Sequence, residues 1–267
     1  MPRPVRARKR LRTLSSSGCN GRSIRRLQAL ANHYLYYNDH SSRAFYCHIE
    51  HKPKIPTPAP KYDEYEVGGR NGKLHADLGY YDNIKVSYEI YYHGKEPTAA
   101  VARSVKHWLA GAPGAHRLAD SYDPGFFYNA TATVGDITNV LNKYGRFTVE
   151  FDCDPRHFSV DGQRSEFLTN GQKLRNPFPQ TALPELVISG NGETGTLSIN
   201  GETLDVGTYS DTQIVVDGEN QNAYTLSGLS ASNRIYGMLP SLPEGENVIS
   251  WSGGITAVML TPRWWTL

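Results

Sequence analysis

The sequence predicts a mainly β protein, β-rich and of two domains, with a single α-helix in the first. Three observations carry this. Apolar and polar residues alternate over 84–92 and again over 146–153, the period of half-buried strands. One stretch only, Pro97 to Gly111, has convincing helical spacing. From Leu183 onward the chain reads as short strands separated by turn residues, the pattern of a β-sandwich. Composition agrees, with 39% apolar and 20% charged residues, enough for a packed core. No apolar run exceeds four residues, whereas a transmembrane helix needs roughly 20, so no membrane partner is expected. The three cysteines, Cys19, Cys47 and Cys153, are odd in number and far apart. They make neither a disulfide framework nor a zinc ribbon.

Taken in order, residues 1–33 are expected to be a basic, disordered and dispensable extension. Residues 1–38 hold nine basic side chains and no acid, leaving 19 basic against 26 acidic residues in the remainder. The functional rival is an arm that binds nucleic acid. Residues 34–155 form the expected first domain. Phe45–Glu50 reads as a strand, and His51–Pro60, with four prolines, as an extended connector. Asp63–Val67 reads as a strand, and Gly68, Gly69, Arg70, Asn71 and Gly72 must turn. Ile84–Tyr92 is the best strand of the first half. In the helix, Val101, Val105, Trp108 and Leu109 share one face. Pro97 suits the first turn, Gly111 a left-handed stop, and Pro113 blocks continuation. Strands follow at 117–121, 126–134 and 146–153. Residues 156–182 are turn-rich and expected as a linker. Residues 183–267 form the second domain, with strands at 186–189, 196–200, 213–217, 223–227, 247–250 and 255–260. Turns are expected at Gly190–Gly195 and Gly253–Gly254, among others.

The chemical motifs are weak. Gly190–Gly195 matches G-x-G-x-x-G, but a strand and not a helix follows, so it reads as a hairpin loop without a nucleotide. Cys47, His48, Glu50 and His51 look like metal ligands, yet on a strand Cys47 and His51 would stand roughly 13 Å apart. Asp152, Cys153, Asp154 and His157 make a weaker cluster still. No G-x-S-x-G or H-E-x-x-H motif is present, and nothing selects a pair of carboxylates for glycoside hydrolysis. No catalytic residue, cofactor or metal site is expected. Asn129-Ala130-Thr131 is a glycosylation triplet, relevant only to a secreted chain. Tyr80, Tyr81, Trp251, Trp264 and Trp265 are candidate aromatics for a glycan or a protein partner.

Several segments together resemble one family. These are Ile49-Glu50-His51-Lys52-Pro53-Lys54-Ile55-Pro56, Tyr65-Glu66-Val67-Gly68-Gly69-Arg70-Asn71-Gly72 and Tyr81-Asp82-Asn83-Ile84. Further on come Trp108-Leu109, Gly145-Arg146-Phe147 with Phe151–Pro155, and Asn247-Val248-Ile249-Ser250 before Pro262-Arg263-Trp264. In order and spacing they are similar to the distal tail proteins of long-tailed phages, the phage tail component family, over about residues 34–267. The resemblance implies an N-terminal β domain with one helix and a β-hairpin, and a C-terminal galectin-like β-sandwich. It implies a homo-hexameric baseplate hub of the virion tail tip, assembled in the host bacterial cytoplasm. The expected partners are the major tail protein of the tail tube, the tail-associated lysin or tail fibre, and a receptor-binding protein. DNA would pass only through the ring lumen. Ring contacts are heterologous, and a hairpin bracketing Gly68–Gly72 could cross one. The competing function classes are a carbohydrate-binding module for cell-wall glycans, using Trp251 or Trp264-Trp265, and a glycoside hydrolase.

Overall fold

The structure, a computed structural model, describes residues 33–207 and 213–267. Its first sheet contains β1 (Leu35–Tyr37), β2 (His40–Ser41) and β3 (Cys47–Ile49). A separate hairpin is made by β4 (Pro60–Glu66) and β5 (Lys73–Tyr81). The chain then runs through β6 (Ile84–His93), α1 (Thr98–Ala110), β7 (His116–Asp120), β8 (Phe126–Val134), β9 (Thr138–Leu141) and β10 (Tyr144–Cys153). The order across the sheet is β2-β1-β7-β8-β10-β6-β3, with β9 on β10. The expected alternation of β6 and β10 is realised in their register, from Tyr144 opposite His93 to Cys153 opposite Ile84. Ile84, Val86, Tyr88, Ile90 and Tyr92 point inward with Phe147, Val149, Phe151 and Cys153.

Helix α1 buries the face that its spacing predicts: Val101, Val105, Trp108 and Leu109. Trp108 stacks on Phe45 at 4.8 Å and its Nε1 donates to the Tyr37 carbonyl at 2.8 Å. The helix stop differs from the expectation. Gly111 is right-handed, with φ −80°, and not left-handed. A Cβ there would meet the His107 carbonyl, so glycine is required for close approach and not for a positive φ. Phe45 also differs, lying in a short 3-10 helix, Ser42–Phe45, before β3.

Residues 156–182, expected as a linker, carry β11 (His157–Ser159), β12 (Glu166–Phe167) and β13 (Gln172–Asn176). The second sheet adds β14 (Glu185–Ile199), β15 (Glu202–Val206), β16 (Gln213–Asp217), β17 (Asn222–Thr225), β18 (Ile235–Gly237) and β19 (Gly245–Thr261); β20 is Trp265–Thr266. Its order is β12-β19-β14-β15-β18, with β13 on β19 and with β16 between β14 and β17. The expected turns at 190–195 and 253–254 are bulges inside two long strands. The β14–β19 register slips between Ser189 and Gly195, where Gly190 faces Ile255 and Gly195 faces Gly253. A Cβ on Gly253 or Gly254 would strike the Thr194 or Glu193 carbonyl, so the strands approach this closely only at glycine. The second core includes Leu186, Ile188, Leu197, Ile214, Ile249 and Val258.

The C-terminus returns to the first sheet, a connection the sequence leaves open. β20 pairs with β11, Phe158 opposite Trp265, and β11 pairs with β8, Phe158 opposite Phe127. The return is fastened at Arg263, whose φ is 57°. Its N–H donates to the Gly162 carbonyl at 2.7 Å. Its guanidinium lies 2.7 Å from both Asp217 and Glu185. Arg156, just past β10, reaches Glu219 at 2.7 Å. Burial alone would raise the Asp217 carboxyl. Hydrogen bonds from Arg263 and Asn220, with the charge of Arg263, outweigh it and hold Asp217 down at about 2. The extension expected at 1–33 lies outside the described residues except for His33, whose ring stacks on Tyr122 at 3.9 Å.

Candidate functional site

The β4–β5 hairpin stands apart from both large sheets. Its turn is the predicted one: Gly69 and Gly72 have φ of 81° and 80°, and the Arg70 N–H donates to the Val67 carbonyl at 3.1 Å. The two faces differ in chemistry. On one, Tyr65 stands opposite Leu74 and Asp63 opposite Ala76, and alternation places Leu78 beside them. On the other, Glu64 accepts from Lys73 at 2.6 Å, and Tyr62 meets the His75 ring at 5.7 Å. That hydrogen bond and the Lys73 charge hold the Glu64 carboxyl below its usual range. Both faces are exposed. Tyr65 is 53% exposed and Leu74 43%, high for side chains that face one another across a strand pair. A two-stranded hairpin is marginal in water by itself. A largely apolar hairpin face this open, with one carboxylate at Asp63, is suited to completion by another surface. The strand Asp63–Val67 is legible in the sequence. Its partner β5 is not, although Leu74, Ala76, Leu78 and Tyr80 do alternate.

The aromatic candidates separate. Trp264 is 7% exposed and belongs to the second core. Trp265 and Trp251 pack partly buried against that core. The Trp265 indole donates to the Thr181 carbonyl at 3.0 Å. The Trp251 backbone exchanges two hydrogen bonds with the Asn170 side chain. Tyr80 is exposed on the hairpin, and Tyr81 ends it.

The ligand-like clusters are divided among other partners. Cys47 is buried and its thiol is pushed up to about 12 by that burial. His48 lies by Tyr91, while Glu50 pairs with Arg146 at 2.6 Å and His51 with Glu89 at 2.9 Å. Burial also pushes Cys153 up to about 12. Asp152 accepts from Asn83 at 3.1 Å, Asp154 pairs with Arg156, and His157 stacks on Tyr128. Among the described residues no group of three or more His, Cys, Asp and Glu is placed to hold a metal.

Among the described residues the architecture is thus a two-core β protein with one α-helix and one separate hairpin. Its fold is shared with solved phage hub and baseplate structures. The crystal structure of the SPP1 Dit protein, presented as a paradigm of the hub adsorption apparatus in phages infecting Gram-positive bacteria, aligns over 88% of this chain and 99% of its own. The TM-score is 0.62 at 13% identity. The phage P2 baseplate in its activated conformation with calcium aligns over 85% of this chain and 96% of the matched one. There the TM-score is 0.50 at 6% identity. No protein-family model matches the sequence, and no curated protein does.

Proposed function

We propose that the chain is a structural protein of a phage tail tip, a baseplate hub that assembles as a hexameric ring. The observation that carries the reading is the alignment with SPP1 Dit over 88% of this chain and 99% of that one. The sequence motifs point the same way independently. In this reading the hairpin lays its Tyr65–Leu74 face on the neighbouring subunit, a heterologous contact that closes into a ring. Gly68–Gly72 forms the tip that crosses the interface. One side of the ring meets the major tail protein of the tail tube. The other meets the tail-associated lysin or tail fibre. The protein has no catalytic task in this account. Antibody–gold labelling of intact virions tests it. Label confined to the distal tail tip is expected, and label on capsids or along the tail shaft would overturn it.

A further inference from the structure

Where the proline-rich connector passes the first sheet, it borders a cleft of about 250 Å³. The cleft has a fixed aromatic wall. Phe126 lies 4.9 Å from the His157 ring, and His157 lies 4.1 Å from Tyr128 with the planes 6° apart. Tyr122 stands alongside, its ring held by the stacked His33. Rings already ordered lose little freedom when a ligand arrives. The opposite side is the segment Lys52–Pro56, anchored by Glu50 N to Glu89 O at 2.8 Å and Asp82 N to Ala59 O at 3.0 Å. Pro53 and Pro56 have no N–H, so they offer apolar rings and carbonyl acceptors.

The polar groups carry both signs. Asp120 is fixed by bonds from the Tyr88 hydroxyl at 2.8 Å, Tyr122 N at 2.7 Å and Asp123 N at 3.1 Å. Asp123, Lys52 and Lys54 are exposed lining residues. An anion would meet Asp120 and Asp123. A cation would meet Lys52 and Lys54, and the Lys52 ammonium already lies 5.8 Å from the Tyr122 ring centre. An uncharged ligand rich in hydroxyls uses donors and acceptors of both kinds, and its C–H face suits the rings. We propose that this cleft binds a neutral saccharide, one sugar ring deep. Burial pushes the Tyr128 hydroxyl up to about 12, so it remains a donor at neutral pH. Burial likewise lowers His157, which favours the uncharged ring. The proposal rests on the cleft alone and stands or falls apart from the hub reading.

The test is saturation-transfer NMR on the full chain with glucose and N-acetylglucosamine, against glucuronate and choline. Transfer to a neutral sugar is expected, with little to either charged probe. Ile55 borders the cleft yet is 75% exposed, so Ile55→Trp should obstruct the mouth without disturbing the core. It is expected to weaken sugar binding about tenfold or more at unchanged melting temperature. Trp251→Ala is expected to leave binding intact. Absence of transfer to either neutral sugar, preference for a charged probe, insensitivity to Ile55→Trp, or loss with Trp251→Ala would each overturn the proposal.

Discussion

Arg263→Gln removes the cation that fastens the returning C-terminus to the second sheet. Arg263 is 18% exposed at its side chain and Asp217 only 4%. Removing one member of a buried pair costs about 3–5 kcal/mol, because the other charge stays buried. Asp217 keeps bonds from Glu219 N at 3.0 Å, Asn220 N at 3.0 Å and Asn220 Nδ2 at 2.8 Å. The low end, about 3 kcal/mol, is therefore expected at neutral pH. For a chain of this size that corresponds to roughly 6–12 °C in melting temperature. The pH dependence identifies the cause. The folded Asp217 value lies near 2, below its ordinary 3.8. Its stabilisation is thus fully present above the ordinary value and is lost as pH falls through the folded one. Urea titrations of wild type and variant should differ most at neutral pH, begin to converge below about pH 4 and meet near about pH 2. A gap under about 1 kcal/mol at neutral pH, or one that stays constant into acid, would refute the reasoning.

Other expectations follow from the same structure. Trp108→Ala loses a side chain 5% exposed and its bond to Tyr37, and should cost about 3–5 kcal/mol; an unchanged melting temperature would contradict the packing. In a Cys19→Ser background, Cys47 and Cys153 should resist a thiol reagent at about pH 8 until the chain unfolds, and rapid labelling of the native protein would show that they are accessible. Tyr65→Asp combined with Leu74→Asp changes exposed positions, so the monomer should melt within about 1 kcal/mol of wild type while ring assembly is lost; rings that form normally would remove the hairpin face from the interface.

Much of the fold is legible because its central strands are half-buried. β6, β8 and β10 show in the sequence within two residues of their ends, since one face of each meets a core and the alternation survives; β16, buried on both faces, shows instead as the continuous apolar run Ile214–Val216. The helix is legible for the same reason at a period of 3.6. β14 and β19 read as two strands each, because their internal glycines look like turns. Only the cross-strand partner shows that Gly190 and Gly253 sit in bulges. β1 and β20 are two or three residues long and pair with segments far away in sequence, such as Leu35 with Asp120 and Trp265 with Phe158. The hairpin tip was visible at Gly68–Gly72, but its exposed apolar face was not, since Tyr65 and Leu74 carry the same pattern as core residues. The Arg263 fastening joins residues 46 and 78 positions apart, a distance no local pattern encodes.

The central claim is ring assembly, and native mass spectrometry of the purified full-length chain, alone and mixed with tail tubes, tests it most directly. The account predicts a species of six chains that disappears in the Tyr65→Asp, Leu74→Asp variant. A chain that stays monomeric under both conditions and does not bind the tubes would contradict it.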